Sequence, residues 1–399
     1  MTMRATLALG GTVPLALACI ASAADRRGTP LALLPPLLAP QASLEAARGA
    51  AIAGDPEHAM AAARLAISAS PMDADAVALL GAGAMAAGNE AAAHGAFTVA
   101  AELGWRNPAT QLYWLGVGLQ VEDYPAAADR LDALLRIGER SPATDAAFVY
   151  LEASSQGRAT LAQRLVSTPP WRDAFAASTP TLSGVELERR IAVLRQASAA
   201  GIPIGCRSMA QPTKVLFARG AYDASAELWF GTCGRTAHGG GFGFAAVRHD
   251  VPFEWQARSS GDMDVSFAPA PAPLRGIGLR VAVQGDLPRA VASRAVRLGP
   301  GIYSMKAGVV DDRGRPSQAV RVAFTCLGSK PAGDARGTHA LPAQFDVPAA
   351  SCTIQQLDLV VDPQRLGGTG VAWIGDVTIR AVRAAPSTSR TEQQQATTH

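Results

Sequence analysis

The sequence predicts an α+β chain in two parts, an array of helical hairpins followed by an antiparallel β-sandwich. Two observations carry this. From Ser43 to about Gly234, small and apolar residues recur at helical spacing between breaks at Gly54–Pro56, Ser70–Pro71 and Gly88–Asn89. Beyond Phe253 the period becomes two, as in Ile277, Leu279, Val281 and Val283, and the glycine-rich TAHGGGFGF at Thr236–Phe244 divides the two regimes. A chain of 399 residues has room for two or three domains of roughly 100 to 200 residues each.

The amino terminus places Arg4 before an uncharged apolar run that ends in Ala21, Ser22 and Ala23. Charge, apolar segment and small-residue site follow one another as in a secretory signal. Residues 1–24 are therefore expected to be a signal peptide, or, uncleaved, an inner-membrane anchor over residues 5–24. Arg26 and Arg27 on the far side weigh against the anchor. The residues before Cys19 do not suit lipid attachment. Either way the remainder is expected in the periplasm or otherwise outside the cytoplasm. Residues 25–42 are proline-rich and read as a linker.

Residues 43–234 read as the helical domain. In one unit Leu80 and Gly81 fall on a first helix, Gly88 at the turn, Ala93, Phe97 and Ala100 on a second, and Pro108 opens the next unit. Ala59, Ala66 and Pro71 take equivalent places in the unit before. Trp114, Val117, Gly118, Val121, Tyr124, Ala127, Leu131 and Leu134 take them in the unit after. This pattern resembles the tetratricopeptide repeat family, in which stacked hairpins of about 34 residues form a solenoid. The resemblance implies a protein-binding scaffold, with small residues such as Gly118 where helices cross closely. Beyond Pro142 helical periodicity continues without clean repeats, and KVLFARGAYDASAELWFGTC reads as a last hairpin.

Residues 238–383 read as the sandwich. Its strands include Tyr303, Met305, Ala307 and Val309; Val320, Val322, Phe324 and Cys326; and Val371, Trp373, Val377 and Ile379, with turns at Asp311–Pro316 and Gly367–Gly370. The order is similar, at the level of fold only, to jelly-roll carbohydrate-binding modules, which implies a glycan ligand for this part. Residues 384–399 are polar and read as a disordered tail.

Five cysteines leave four after Cys19, and these pair by region as Cys206 with Cys233 and Cys326 with Cys352. Two disulfides suit an oxidising compartment. No metal site is expected, because there is no C-x-x-C and the six histidines are scattered. A net charge of +3 without a basic stripe argues against nucleic acid.

Catalysis finds little support in the motifs. His238–Gly241 spells HGGG, an oxyanion-hole element in esterases, but the G-x-S-x-G elbow that it requires is missing. Gly81, Gly83 and Ala86 match a dinucleotide fingerprint but lie within a helix, so no cofactor is expected. Asp311 and Asp312 fit turn chemistry better than calcium. The aromatic residues remain as candidates for binding: Trp105, Tyr113 and Tyr124 for a partner protein on the repeats, and Tyr303 for a glycan on the sandwich. Trp255 and Trp373 are expected in the core by alternation. The expectation is a non-catalytic envelope scaffold acting in polysaccharide assembly or secretion; a glycan-active hydrolase or lyase with accessory repeats is the alternative.

Overall fold

The computed structural model describes residues 40–200, 205–233, 242–244, 250–328, 337–349, 352–366 and 370–384. The signal or anchor segment, Cys19, most of the linker, the HGGG stretch and residues 385–399 lie outside these. Two compact units divide between Trp171 and Arg172. This division falls earlier than the change of element type, because the last helices share a unit with the sandwich.

In the first unit the helices are α1 (Pro40–Ile52), α2 (Pro56–Ala69), α3 (Ala74–Ala86), α4 (Glu90–Leu103), α5 (Pro108–Gln120), α6 (Tyr124–Arg136), α7 (Pro142–Ala153) and α8 (Ser155–Val166). The end of the expected linker, Pro40 to Ala42, is already helical. Pro40, Ala74, Pro108 and Pro142 begin successive first helices 34 residues apart, so the chain forms helical repeats. Capping enforces the period. Asp55, Asp73, Asn89, Asn107 and Asp123 each precede a helix, and each accepts hydrogen bonds from its first-turn N–H groups. The turn inside each of the first three hairpins has a left-handed residue, supplied by Gly54, by Gly88 and then by Glu122 at φ 57°.

Small residues bring the helices together. Ala59, Ala63, Ala66, Ala93, Ala100 and Ala127 are all buried, and a Cβ at Gly118 would stand 3.1 Å from the Ala127 nitrogen and 3.2 Å from its Cβ. Gly116, two residues earlier, faces open space. Gly118→Leu is therefore expected to cost about 1–3 kcal/mol by overpacking, whereas Gly116→Ala should gain about 1 kcal/mol from helix propensity. Urea unfolding of the two variants checks the opposite signs. Between repeats, Asp75 on α3 accepts from Arg48 on α1 at 2.9 Å and from Asn107, the cap of α5, at 2.7 Å. Asp132 on α6 closes the unit by accepting the Trp171 indole N–H at 2.8 Å and Arg136 Nε at 2.8 Å.

The second unit opens with α9 (Arg172–Ala177), α10 (Gly184–Ala199), α11 (Cys206–Ala218) and α12 (Tyr222–Cys233). Its strands are β1 (Gln256–Ala257), β2 (Met263–Pro269), β3 (Ile277–Val283), β4 (Arg289–Val296), β5 (Gly301–Asp311), β6 (Val320–Leu327), β7 (Thr338–Ala340), β8 (Ala343–Val347), β9 (Ile354–Val361) and β10 (Val371–Ala384). They form two antiparallel sheets, β1-β4-β9-β6-β7 and β2-β3-β10-β5-β8. The inner orders β4-β9-β6-β7 and β3-β10-β5-β8 are those of a jelly roll. Leu279, Val281, Met305, Val322, Leu357 and Leu359 fill the space between the sheets, together with Trp255. Phe253, Val251, Ala295 and Ile354 instead meet α11 and α12 through Ala210, Ala226 and Trp229.

Both expected disulfides form. Cys206–Cys233 joins the start of α11 to the end of α12 with Cα atoms 5.6 Å apart, and Cys326–Cys352 joins β6 to the approach to β9 at 5.1 Å. Two disulfides fit an oxidising compartment. No helix among the described residues is long and apolar enough to cross a membrane.

Alternation misplaces Trp373. The register of β10 against β5 shifts between Gly375 and Thr378, where Asp376 adopts φ 50°. Before this bulge Ala372 and Ile374 point inward; after it Val377 does. Trp373 therefore lies on the outer face, half-buried, rather than in the core.

Candidate functional site

In the first unit the three predicted aromatic residues do not make one surface. Tyr124, the first residue of α6, is buried, so it leaves the candidate surface; a helix-start position set against its own hairpin is not open to a partner. Tyr113 is half-buried, stacked on Phe97 with centroids 4.3 Å apart, and its hydroxyl is 3.0 Å from His94 Nδ1. Trp105 alone stays open, 53% exposed. The Arg130 guanidinium lies over its ring at 4.0 Å and donates to Gln111 Oε1, while Gln111 Nε2 donates to the Trp105 carbonyl. Burial lowers the Arg130 pKa from its ordinary value. This is a preformed cation–π platform of which one ring face is already occupied.

In the second unit the outer face of the β2-β3-β10-β5-β8 sheet is covered at one end and open at the other. Gly308 on β5 and Gly375 on β10 pair across the sheet, and Leu274 lies directly over both. A side chain at either glycine would lift the Ala270–Gly276 loop. Past the bulge the same face opens into a groove of about 530 Å³ lined by Ser304, Lys306, Gln344, Thr378, Arg380 and Val382. Register sets its layout: Gln344, Ser304 and Arg380 are neighbours across three strands, and Lys306 faces Thr378 in the next row. The two cations have no ion-pair partner among the described residues. Among the described residues the groove thus presents two positive charges without an ion pair beside hydroxyl and amide groups, an arrangement that suits a hydroxyl-rich, negatively charged chain.

Tyr303 lies one residue before Ser304 on β5 and points the other way. Its ring stacks on Phe345 at 6.0 Å, its hydroxyl donates to the Gly299 carbonyl at 3.0 Å, and it helps to line a cavity of about 300 Å³. Phe230, Phe242, Arg294, Leu298 and the chain from Ala295 to Gly299 form the rest of the lining. Burial holds the Arg294 guanidinium down to about 10, while the field of Glu254 acts in the opposite direction, so it remains charged at neutral pH.

The Asp311 turn is closed to a metal by its own partners. Its carboxylate accepts from the Arg313 and Arg315 N–H groups and from Arg315 Nε, contacts that lower its pKa, the Arg315 N–H first among them. Arg294, Lys306 and Arg380 are not apparent from composition or motif. The signal that could have found Lys306 and Arg380 is a polar face on each of two strands otherwise rich in Val and Ile. No protein-family profile and no curated protein sequence matches the chain.

Proposed function

We propose that this is an exported, non-catalytic binding protein of the bacterial envelope, in which the helical repeats hold a protein partner and the sandwich takes an acidic glycan during polysaccharide assembly or secretion. The observation that carries the glycan reading is the open groove in which Lys306 and Arg380, without an ion pair among the described residues, stand among Ser304, Gln344 and Thr378. An extended polyanion can meet both cations at once, and the surrounding side chains can hydrogen-bond its hydroxyls. The lining described holds no carboxylate, which fits retention rather than glycoside cleavage by an acid pair. Two disulfides support the exported setting. The repeats support the protein partner through their stacked-hairpin form and the exposed Trp105.

Binding of a polyuronate and of neutral dextran to the full chain tests this. The polyuronate is expected to bind and to weaken as salt rises, and the double variant Lys306→Glu, Arg380→Glu should reduce its affinity at least tenfold, about 1.4 kcal/mol. Equal binding of dextran, or an unchanged affinity in the double variant, would sink the reading.

A further inference from the structure

Arg294 stands where a jelly roll places an apolar side chain. Along β4 it alternates with Ala295 and shares the parity of Ala292 and Val296, both of which belong to the core between the sheets. Its neighbour across the ladder is Leu357, which is fully buried. Yet Arg294 is itself 8% exposed, makes no ion pair among the described residues, and leaves Nε without a hydrogen-bond partner. Its guanidinium carbon lies 4.9 Å from the centre of the Phe242 ring. Glu254 has partners of its own and acts on Arg294 only through its field. A buried charge that makes no direct ion pair is costly. An ordinary core would have replaced it with leucine or methionine.

The cavity beside it gives the charge a use. Its walls are the rings of Phe230, Phe242 and Tyr303 with Leu298, and the Tyr303 hydroxyl is already engaged by the Gly299 carbonyl, so the ring offers a face rather than a donor. Arg297 is exposed at the rim and adds a second positive charge at the opening. The guanidinium is planar, and its two Nη groups form a fork that matches the two oxygens of a carboxylate. A dianion such as phosphate would need more donors than this lining provides to offset its desolvation.

We propose that this cavity is a second ligand site, separate from the outer groove, and that it binds an organic monocarboxylate whose carbon framework presents an apolar face, with the carboxylate on Arg294 and the framework against the aromatic walls. A sugar ring of a uronic acid has such a face, and so has a simple aromatic acid. The site does not depend on the groove, and its test uses small molecules that cannot span both.

Calorimetry on the full chain with glucuronate, glucose, benzoate and inorganic phosphate tests the assignment. At least one of the two carboxylates is expected to bind and to raise the melting temperature, and glucose and phosphate are expected not to. Preference for glucuronate over benzoate identifies a sugar acid as the source, and the reverse preference an aromatic acid. Arg294→Met should abolish the binding, at least tenfold, while leaving the unliganded melting temperature unchanged or higher, because it removes an unpaired buried charge. A purely structural arginine would instead lower it. Arg294→Lys keeps the charge but not the fork and should bind several-fold more weakly. No binding of either acid, stronger binding of phosphate, or an unchanged affinity in Arg294→Lys overturns the proposal.

Discussion

Replacing Cys326 and Cys352 together by alanine is expected to remove about 3.5 kcal/mol of stability from the second unit, the loop-closure entropy for a sequence separation of 26 residues. The bridge fastens the end of β6 to the approach to β9, two strands that already pair through eight residues from Val320–Val361 to Leu327–Ile354. Between them the chain forms β7 on the other side of β6 and β8 in the second sheet before it returns, and the disulfide closes that excursion. Cys352 is buried in the inter-sheet core, and the loss of its sulfur adds a packing penalty in the same direction. Against a typical total of about 5–15 kcal/mol the loss is large. Urea unfolding of the oxidised protein, the reduced protein and the double variant should place the double variant well below the oxidised protein, and the reduced protein, which also loses Cys206–Cys233, lower still. Coincident midpoints for all three would show that the bridge contributes nothing.

Gly157→Ala should be the most damaging single methyl that can be added to the helical unit. Only Ser154 separates α7 from α8, and the Ser154 hydroxyl accepts the Gly157 N–H at 2.8 Å to start the second helix. Arg158 folds back to donate to the Glu152 carbonyl at 2.7 Å. In this tight corner a Cβ on Gly157 would overlap the Leu151 carbonyl oxygen and lie 3.0 Å from the Leu151 Cα. The obstacle is backbone, which cannot rotate aside as a side chain can. Alanine would gain about 1 kcal/mol from helix propensity, but the clash should place the net cost at about 3 kcal/mol, the top of the usual overpacking range or beyond. Gly95→Ala, on an exposed helical face with nothing near, is the matched control and should stabilise. If both variants stabilise alike, the corner is not as close as described.

What could be read beforehand follows the regularity of the backbone. The first three hairpins were legible because Gly88, Asn89 and Pro108 mark turn, cap and helix start at repeat spacing, and each is a residue whose conformational preference acts locally. The fourth hairpin was not. Its turn has collapsed to Ser154, and neither a glycine nor a proline marks it. In the sandwich, strict alternation placed Met305 and Val322 correctly, but it failed at Trp373 because a bulge involving Asp376 reverses the parity of one strand halfway along. Tyr124 misled because an aromatic residue beside a turn reads as exposed, whereas this one is the first residue of a packed helix. Arg294 escaped notice because β4 carries its own register shift between Ala290 and Ala292, so the face that the arginine takes depends on pairing with β9 rather than on the local sequence.

The 34-residue spacing of helix starts also sets the lengths that the array can tolerate. Asp73 caps α3 as Asn107 caps α5, and in both cases the next residue begins a first helix. Excision of residues 74–107 would join Asp73 directly to Pro108, recreating the Asp–Pro step by which Asp55 and Pro56 begin α2. A single inserted residue, by contrast, would turn everything downstream within its helix by about 100° and carry the buried alanines to the surface. The length of this scaffold can therefore change in whole units between related chains, while its unit length is held by the geometry of one turn and one cap.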